Sequence, residues 1–324
     1  MVPTANGWAN ITGLDPLMVH KILLLGANGQ LGHQLVNELE QLGEVKALTR
    51  SEADLSKPMA LRQALTDVAA SDFRPTVIVN AAAYTAVDKA QTEAELAHAV
   101  NAASPAVLAE LAHAWNATLV HYSTDYVFDG SGAKPWQEND PTHPLSVYGQ
   151  SKRDGELAIV AFCHKHLILR TSWVVGVHGG NFLKTMLRLA AEQNTLRVVD
   201  DQMGAPTSTE LLADVTVKML QAMSHAADND TRWGIYHVAA AGEVSWHGYA
   251  QHVIGGALRR GAQFKVSPET INPIVTAEYP LPAPRPLNSR LNTHKLQTTF
   301  GIVLPAWQVG VDAILDQLIS TRTI

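Results

Sequence analysis

Between residues 21 and 170 short apolar runs alternate with longer amphipathic stretches, and this alternation restricts the fold more than any other feature of the chain. Strands are predicted over 21–25, 45–48, 76–80, 118–123 and 166–170. Helices are predicted between them, over 31–42, 58–70, 93–114 and 148–163. In the third helical stretch, Ser104 followed by Pro105 reads as an N-cap with proline at the first helical position. Strands that are continuous Val/Ile/Leu runs, separated by helices, require a parallel sheet covered on both faces. After Arg170 the alternation loosens: 181–193, 208–222 and 246–259 read as helices, and 234–238 as a strand returning to the same sheet. The proline-dense segment 273–286 ends with Pro280, Pro282, Pro284 and Pro286, a spacing that excludes a helix or central strand. It is expected to lie as a loop over a cleft, because Asn288–Leu291 and a closing helix from Trp307 follow it. The fold class is α/β, a doubly wound parallel sheet with a smaller carboxy-terminal lobe.

Composition narrows the class further. A chain of 324 residues suits about two domains. Its 46% apolar and 17% charged residues supply a sizeable core and exclude a disordered chain. The net charge of −6, from 24 basic and 30 acidic residues, argues against nucleic acid or an anionic membrane as partner. No apolar run approaches the roughly 18 residues that a membrane span needs. Cys163 is the single cysteine, so no internal disulfide forms and a reducing, cytoplasmic compartment is expected. Residues 1–18 contain no Lys or Arg but include Pro3, Gly7, Gly13 and Pro16, and they are expected to be a disordered extension before a natural start near Met18.

The first predicted strand ends in Gly26-Ala-Asn-Gly29-Gln-Leu-Gly32, which also opens the first helix. Glycines there permit a tight turn, let backbone N–H groups approach a pyrophosphate, and let helix pack on strand. The spacing has one residue more in its first gap than the common Gly-x-Gly-x-x-Gly. This points to a Rossmann-type, dinucleotide-binding domain over 19–172, with 173–324 mainly a substrate lobe. The second strand ends in Leu48-Thr49-Arg50-Ser51, with no acid to hold a ribose 2′-hydroxyl. Arg50 suits a 2′-phosphate and so NADPH ahead of NADH, or else is a solvated loop cation. Asp54 and Leu55 fall where an adenine edge and an apolar flank are needed, although Asp54 equally reads as an N-cap.

Tyr148-Gly-Gln-Ser-Lys152 places a phenol and an ammonium four residues apart at a helix start, on one face. An ammonium beside a phenol favours the phenolate, and thus acid–base work nearer neutral pH. Thr124, at the end of the fourth predicted strand in His121-Tyr-Ser-Thr-Asp-Tyr-Val-Phe128, offers a hydroxyl to a substrate carbonyl.

These residues resemble the extended short-chain dehydrogenase/reductases, and within them the dTDP-4-dehydrorhamnose reductase branch. The similarity runs in order through Gly26–Gly32, Asn80–Ala90, His121–Phe128, Pro144–Lys152, Arg170–Trp173, Asp201–Thr207 and Arg285–Leu291, across nearly the whole chain from Val19. The resemblance implies that Tyr148 donates the proton with Lys152 as its partner, that Thr124 and Asp125 contact a sugar, and that Trp173 lines its pocket. It places Gly29, Gln30 and Leu31 at the pyrophosphate, Ala83, Tyr84 and Thr85 beneath the cofactor, and Tyr122 against it. Trp173 alone would read as a core aromatic, and Asn288 and Arg290 as loop polars, yet an arginine by a cleft suits a nucleotide diphosphate.

The implied reaction is hydride transfer from NAD(P)H to C4 of a dTDP-bound 4-keto sugar, giving dTDP-L-rhamnose, with no metal needed. Two other readings stay open: another nucleotide-sugar epimerase or dehydratase of the same fold, and a non-catalytic NADP-binding regulatory subunit. Fourteen histidines show no His-Glu-x-x-His spacing, and no Gly-x-Ser-x-Gly elbow is present. Some reductases of this branch are dimers bridged by Mg²⁺ through glutamates. Here Gln34 and the Asp316-Gln317-Leu318 run stand where two of these are expected, with Glu192 left over, so no structural magnesium and either a monomer or a homodimer on other contacts is expected.

Overall fold

Five strands of the central sheet coincide, to within two residues at either end, with the apolar runs. In the computed structural model, which describes residues 20–320, they are β1 (His20–Leu25), β2 (Gly43–Leu48), β3 (Val77–Asn80), β4 (Thr118–Thr124) and β5 (His166–Thr171). The expected extension over residues 1–18 and the start at Met18 lie outside the described residues. The sixth strand, Gly234–His237, returns beside β5, and the order is Gly234–His237, β5, β4, β3, β1, β2, all parallel. Strand order reverses between β1 and β3, and a crevice opens beyond the carboxyl ends at such a switch point.

Both faces of the sheet are covered, which is why its strands do not alternate. Ile22, Leu23, Leu24 and Leu25 are all fully buried, although successive side chains point to opposite faces. Ile22 and Leu24 pack with α1 (Gln30–Leu39) and the Thr209–Met223 helix; Leu23 and Leu25 pack with α2 (Pro58–Ala70), Ser104–Trp115 and Ile159. Each such leucine contributes about 2 kcal/mol by burial. A third apolar cluster fills the carboxy-terminal lobe, from Leu183 and Met186 through Tyr249 and Ile254 to Trp307 and Ile314.

Among the described residues four α-helices begin at a capping side chain. Ser146 accepts from Gly149 N at 3.2 Å, Asn181 from Lys184 N at 3.1 Å, Ser208 from Leu211 N at 3.2 Å and Ser245 from Gly248 N at 3.0 Å. Each cap is worth about 1 kcal/mol. Ser104 is not one of them. The helix runs from Ala94–His98 through a widened π turn at Ala99–Ala103 into Ser104–Trp115, and Ser104 is itself helical. Its hydroxyl instead donates to Leu55 O at 2.7 Å. Pro105 would collide with the carbonyl four residues back, that of Asn101, and the wider turn accommodates it. That carbonyl presses on the neighbouring Val147–Phe162 helix, where a Cβ on Gly155 would lie 2.1 Å from it.

Part of the proline-dense segment is also not a loop. Ile271–Ile274 pairs in parallel with Leu196–Val199, with Pro273 opposite Val198. A two-stranded pair consists of edges only, so the missing N–H is tolerated. The prolines from 280 onward do form a loop, and it is tied to the segment after β3: Ala283 N donates to Asp88 Oδ1 at 3.1 Å, and Arg285 pairs with Asp88 at 2.8 Å. A short helix over His294–Phe300, unread in the sequence, precedes the closing helix Trp307–Ser320. Among the described residues no helix is long and apolar enough to cross a membrane.

Candidate active site

A cleft of about 870 Å³ opens at the switch point, walled by the loops after β1, β3, β4 and β5 and by the lobe residues Phe182, Trp246 and Tyr249. At one end lies the glycine turn. Gly26 has φ +82, a conformation that favours glycine, and a Cβ there would meet Ala82 N at 2.8 Å. Gly32 does not line the cleft; a Cβ on it would lie 1.9 Å from Gly26 O, so its role is to let α1 pack on the turn. Gly29 is the N-cap of α1 with no side-chain cap, and Gln30 and Leu31 begin the helix on the cleft wall. Uncapped first-turn N–H groups suit an anion such as a pyrophosphate. Gln30 does more than line this end. Its Nε2 donates to Val174 O at 3.2 Å and its Oε1 accepts from Asn181 Nδ2 at 2.8 Å, which ties the turn to the lobe.

Beyond the turn, Arg50, Asp54 and Leu55 line the same cleft. Arg50 is 76% exposed and 3.5 Å from Asp54. Asp54 accepts from Ser56 Oγ at 2.7 Å and Ser56 N at 3.0 Å, bonds that hold its carboxyl below the usual range. It thus caps a turn, not α2, whose N-cap is Lys57. Ala83, Tyr84 and Thr85 follow β3 as part of the cleft wall. The Tyr84 backbone is gripped by Asn101, which accepts from its N–H at 2.9 Å and donates to its carbonyl at 3.0 Å. Tyr84 Oη donates to Glu93 at 2.6 Å, and this bond raises the phenol to about 12. Asn101 also donates to Ser151 Oγ at 3.0 Å, so one residue of the π turn sets both the Tyr84 loop and the Val147–Phe162 helix.

The reactive groups gather at the ends of β4 and the Val147–Phe162 helix. Tyr148 is half-buried in the first turn, and desolvation of its phenol raises it to about 12, opposed by a hydrogen bond with Thr124. Thr124 Oγ1 donates to Asp125 Oδ1 at 3.0 Å, and burial lifts the Asp125 carboxyl to about 6 against its hydrogen bonds with Ser289 and Thr124. Lys152, a turn further on, donates from Nζ to Tyr122 O at 2.7 Å and lies 3.2 Å from His121 Nε2. Burial lowers it to about 8, opposed by Glu156. The expected lowering of the Tyr148 phenol by Lys152 is not seen: desolvation raises the phenol, and Nζ is bonded to Tyr122 O and faces His121 instead. Tyr122 lines the cleft, but its hydroxyl is bonded to Thr216 Oγ1 at 2.6 Å.

Trp173 is a wall residue and not simply core. It adopts φ +49, a conformation strained for a bulky side chain, and stacks on Trp246 with centroids 3.6 Å apart and planes at 15°. Trp246 was not legible as a site residue, because its place depends on where the lobe helix Trp246–Arg259 docks. Asn288 and Arg290 are not among the residues that wall this cleft. Asn288 is buried and donates to Ser131 O at 3.3 Å and Lys134 O at 2.8 Å, and Arg290 Nε donates to Glu243 at 2.5 Å. Their polar atoms hold loops together.

The positions weighed for magnesium are otherwise engaged. Gln34 donates to Glu38 at 3.4 Å, Glu192 pairs with Arg188 at 2.9 Å, and Asp316 with Arg260 at 2.6 Å. Among the described residues no group of three His, Cys, Asp or Glu side chains is placed to hold a metal.

Comparison with known proteins agrees with this geometry. Residues 20–320 match the family model of the RmlD substrate binding domain. The dTDP-4-dehydrorhamnose reductase of Salmonella typhimurium is 46% identical over 307 residues, covering 94% of this chain and 99% of that protein. The spore coat polysaccharide biosynthesis protein SpsK of Bacillus subtilis is 36% identical, covering 92% and 97%. Among solved structures, the Bacillus anthracis dTDP-4-dehydrorhamnose reductase in complex with NADP superposes with a TM-score of 0.82 at 32% identity, over 93% of this chain and 100% of that one. With a cleft built from the same ordered segments and relatives matched nearly end to end, the chain belongs to the dTDP-4-dehydrorhamnose reductase family.

Proposed function

We propose that the chain reduces the C4 ketone of dTDP-4-dehydrorhamnose with NADPH in preference to NADH, giving dTDP-L-rhamnose. The observation that carries this reading is the meeting of Thr124, Tyr148 and Lys152 in the cleft whose other end is the Gly26–Gly32 turn. The glycine turn fits a dinucleotide: a Cβ at Gly26 or Gly32 would collide with backbone, and the first turn of α1 is left uncapped. Gly29, Gln30 and Leu31 would hold its pyrophosphate, Arg50 a 2′-phosphate, and Ala83, Tyr84 and Thr85 would flank it. When bound, a reduced nicotinamide supplies the hydride that a ketone carbon accepts.

The residues of the chain supply the proton and the fit. A phenol at about 12 keeps its proton at neutral pH, so Tyr148 stands ready as the acid. An alkoxide forming at the ketone oxygen is a stronger base than the phenolate, and transfer from Tyr148 Oη to it is downhill. Thr124 lies beside Tyr148, and its one hydroxyl proton, given to Asp125 Oδ1 in the free site, would turn to the ketone oxygen when substrate binds, while Asp125 is placed for a sugar hydroxyl. Trp173 and Trp246 offer their stacked edges to the sugar. The site residues and the division into a dinucleotide domain and a substrate lobe belong to this proposal, as does a monomer or homodimer working without metal in the cytoplasm.

Spectrophotometric loss of NADPH in the presence of dTDP-4-dehydrorhamnose tests the reading. The expected result is one NADPH oxidised per sugar reduced. Sugar converted without net loss of NADPH would favour an epimerase or dehydratase, and NADPH bound with no turnover would favour a regulatory subunit.

A further inference from the structure

Beneath Lys152 lies a buried polar chain that the proposed reaction has not used. Asn80 ends β3, His121 stands opposite it on β4, and both are 1% exposed. Asn80 Oδ1 accepts from Ala82 N–H at 3.2 Å, which fixes the orientation of its amide. Its Nδ2 therefore faces His121 Nδ1, 3.0 Å away. An amide NH₂ only donates, so Nδ1 carries the lone pair and the proton of the neutral ring sits on Nε2. That N–H points at Lys152 Nζ over 3.2 Å. An ammonium has three donors and no acceptor, so against it the Nε2–H meets hydrogen with hydrogen. A neutral amine has a lone pair for that N–H and still donates to Tyr122 O at 2.7 Å.

We propose that His121, held in its Nε2–H tautomer by Asn80, is a positioning residue that hydrogen-bonds the amine form of Lys152 and so brings loss of the lysine proton into the pH range in which the enzyme works. The inference rests on the reductase reading for its kinetic consequence, but not for its geometry. Burial acts in the same direction: it lowers Lys152 to about 8 and holds His121 neutral, well below the usual imidazole value. The other titratable groups around Nζ are few. Glu156, on the same helix, opposes the shift, but its carboxylate is taken by Arg170 of β5 through Nε at 3.0 Å and Nη2 at 2.6 Å. Tyr148 lies one turn earlier and Asp125 follows β4, next to Thr124.

Two measurements test this. Two-bond ¹⁵N–¹H correlation spectra of protein labelled with ¹⁵N-histidine, with the His121 signal assigned by its loss in His121→Gln, should show the neutral Nε2–H tautomer throughout the assay range. The Nδ1–H tautomer overturns the proposal. His121→Phe keeps the ring bulk and removes the N–H; the alkaline limb of kcat/KM should then move up by about one pH unit, the worth of one hydrogen bond. A limb left in place while the rate falls uniformly overturns the proposal, because a merely structural histidine would behave that way. If His121→Phe does not fold, Asn80→Asp serves: its second oxygen accepts from Nδ1–H, so the tautomer should switch and the limb should rise. A tautomer unchanged in Asn80→Asp also overturns it. Wild-type protein that fails to turn over the keto sugar would sink the reductase reading alone, since the tautomer is read without substrate.

Discussion

Trp173 lies flat on Trp246, its centroid 3.6 Å away, and the edge of its indole fills the space that a side chain at Gly204 would need. A Cβ on Gly204 would stand 2.7 Å from Trp173 Cε2. Trp173 is already held at φ +49, so it has little freedom to retreat. Gly204→Ala is therefore expected to cost about 1–3 kcal/mol of stability, as overpacking does, and to displace the indole into the cleft. The KM for the sugar should rise while the Kd for NADPH stays unchanged, which initial rates and fluorescence titration would show. An unchanged KM would mean that this wall does not touch the sugar.

Tyr148→Phe removes the proton and leaves the ring. Turnover should fall by roughly 10²–10⁴, the contribution of a positioned general acid, with NADPH binding nearly intact. The phenol hydrogen-bonds only with Thr124 among its named partners, so the fold should hold. A variant retaining more than half the wild-type rate would remove Tyr148 from the mechanism.

The parallel sheet was legible because its signal is local. Residues 22–25 and 77–79 are apolar on both faces, and only a covered parallel sheet accepts such runs. The Gly26 turn and the Tyr148–Lys152 spacing were legible for the same reason, since backbone sterics and helix period act over a few residues. What was misread depends on contacts distant in sequence. Ser104 followed by Pro105 has the form of a helix start, but the hydroxyl finds Leu55 O, 49 residues away, and a π turn absorbs the proline. Asn288 and Arg290 are polar residues near a cleft in sequence order, yet their partners are the 131–134 loop and Glu243. His121 gave no sign of facing Lys152, because that meeting needs β3, β4 and a helix in place together. Asn101 did leave a trace: an asparagine inside a helix interior is disfavoured unless its amide has work elsewhere.

Cofactor choice should turn on Arg50. Its guanidinium is largely solvated and its Asp54 contact is long, so it is free to meet a 2′-phosphate. One such charge-assisted contact is worth about 1–3 kcal/mol, and Arg50→Ala should reduce the preference for NADPH over NADH by roughly 5- to 150-fold in kcat/KM. Raised salt should erode the same preference, since the contact is exposed. Equal kcat/KM values for both cofactors in the wild type, unchanged by the substitution, would leave Arg50 a bystander.

Asp125 should give the site a measurable pH signature in stability. Burial lifts its carboxyl to about 6, opposed by the Ser289 and Thr124 hydrogen bonds, while the unfolded chain has the ordinary value of about 4. Between these two values the native state binds the proton more tightly than the unfolded state does. The contribution of Asp125 to stability is therefore greatest below about 4, falls as pH rises to about 6, and stays at the lower level above. Asp125→Asn removes the ionisation. Its Tm should exceed that of the wild type at pH values above about 6 and approach it below about 4, while kcat/KM falls because the sugar loses a carboxylate partner. Calorimetry across that range decides it: a Tm difference independent of pH would show that the Asp125 carboxyl does not titrate there.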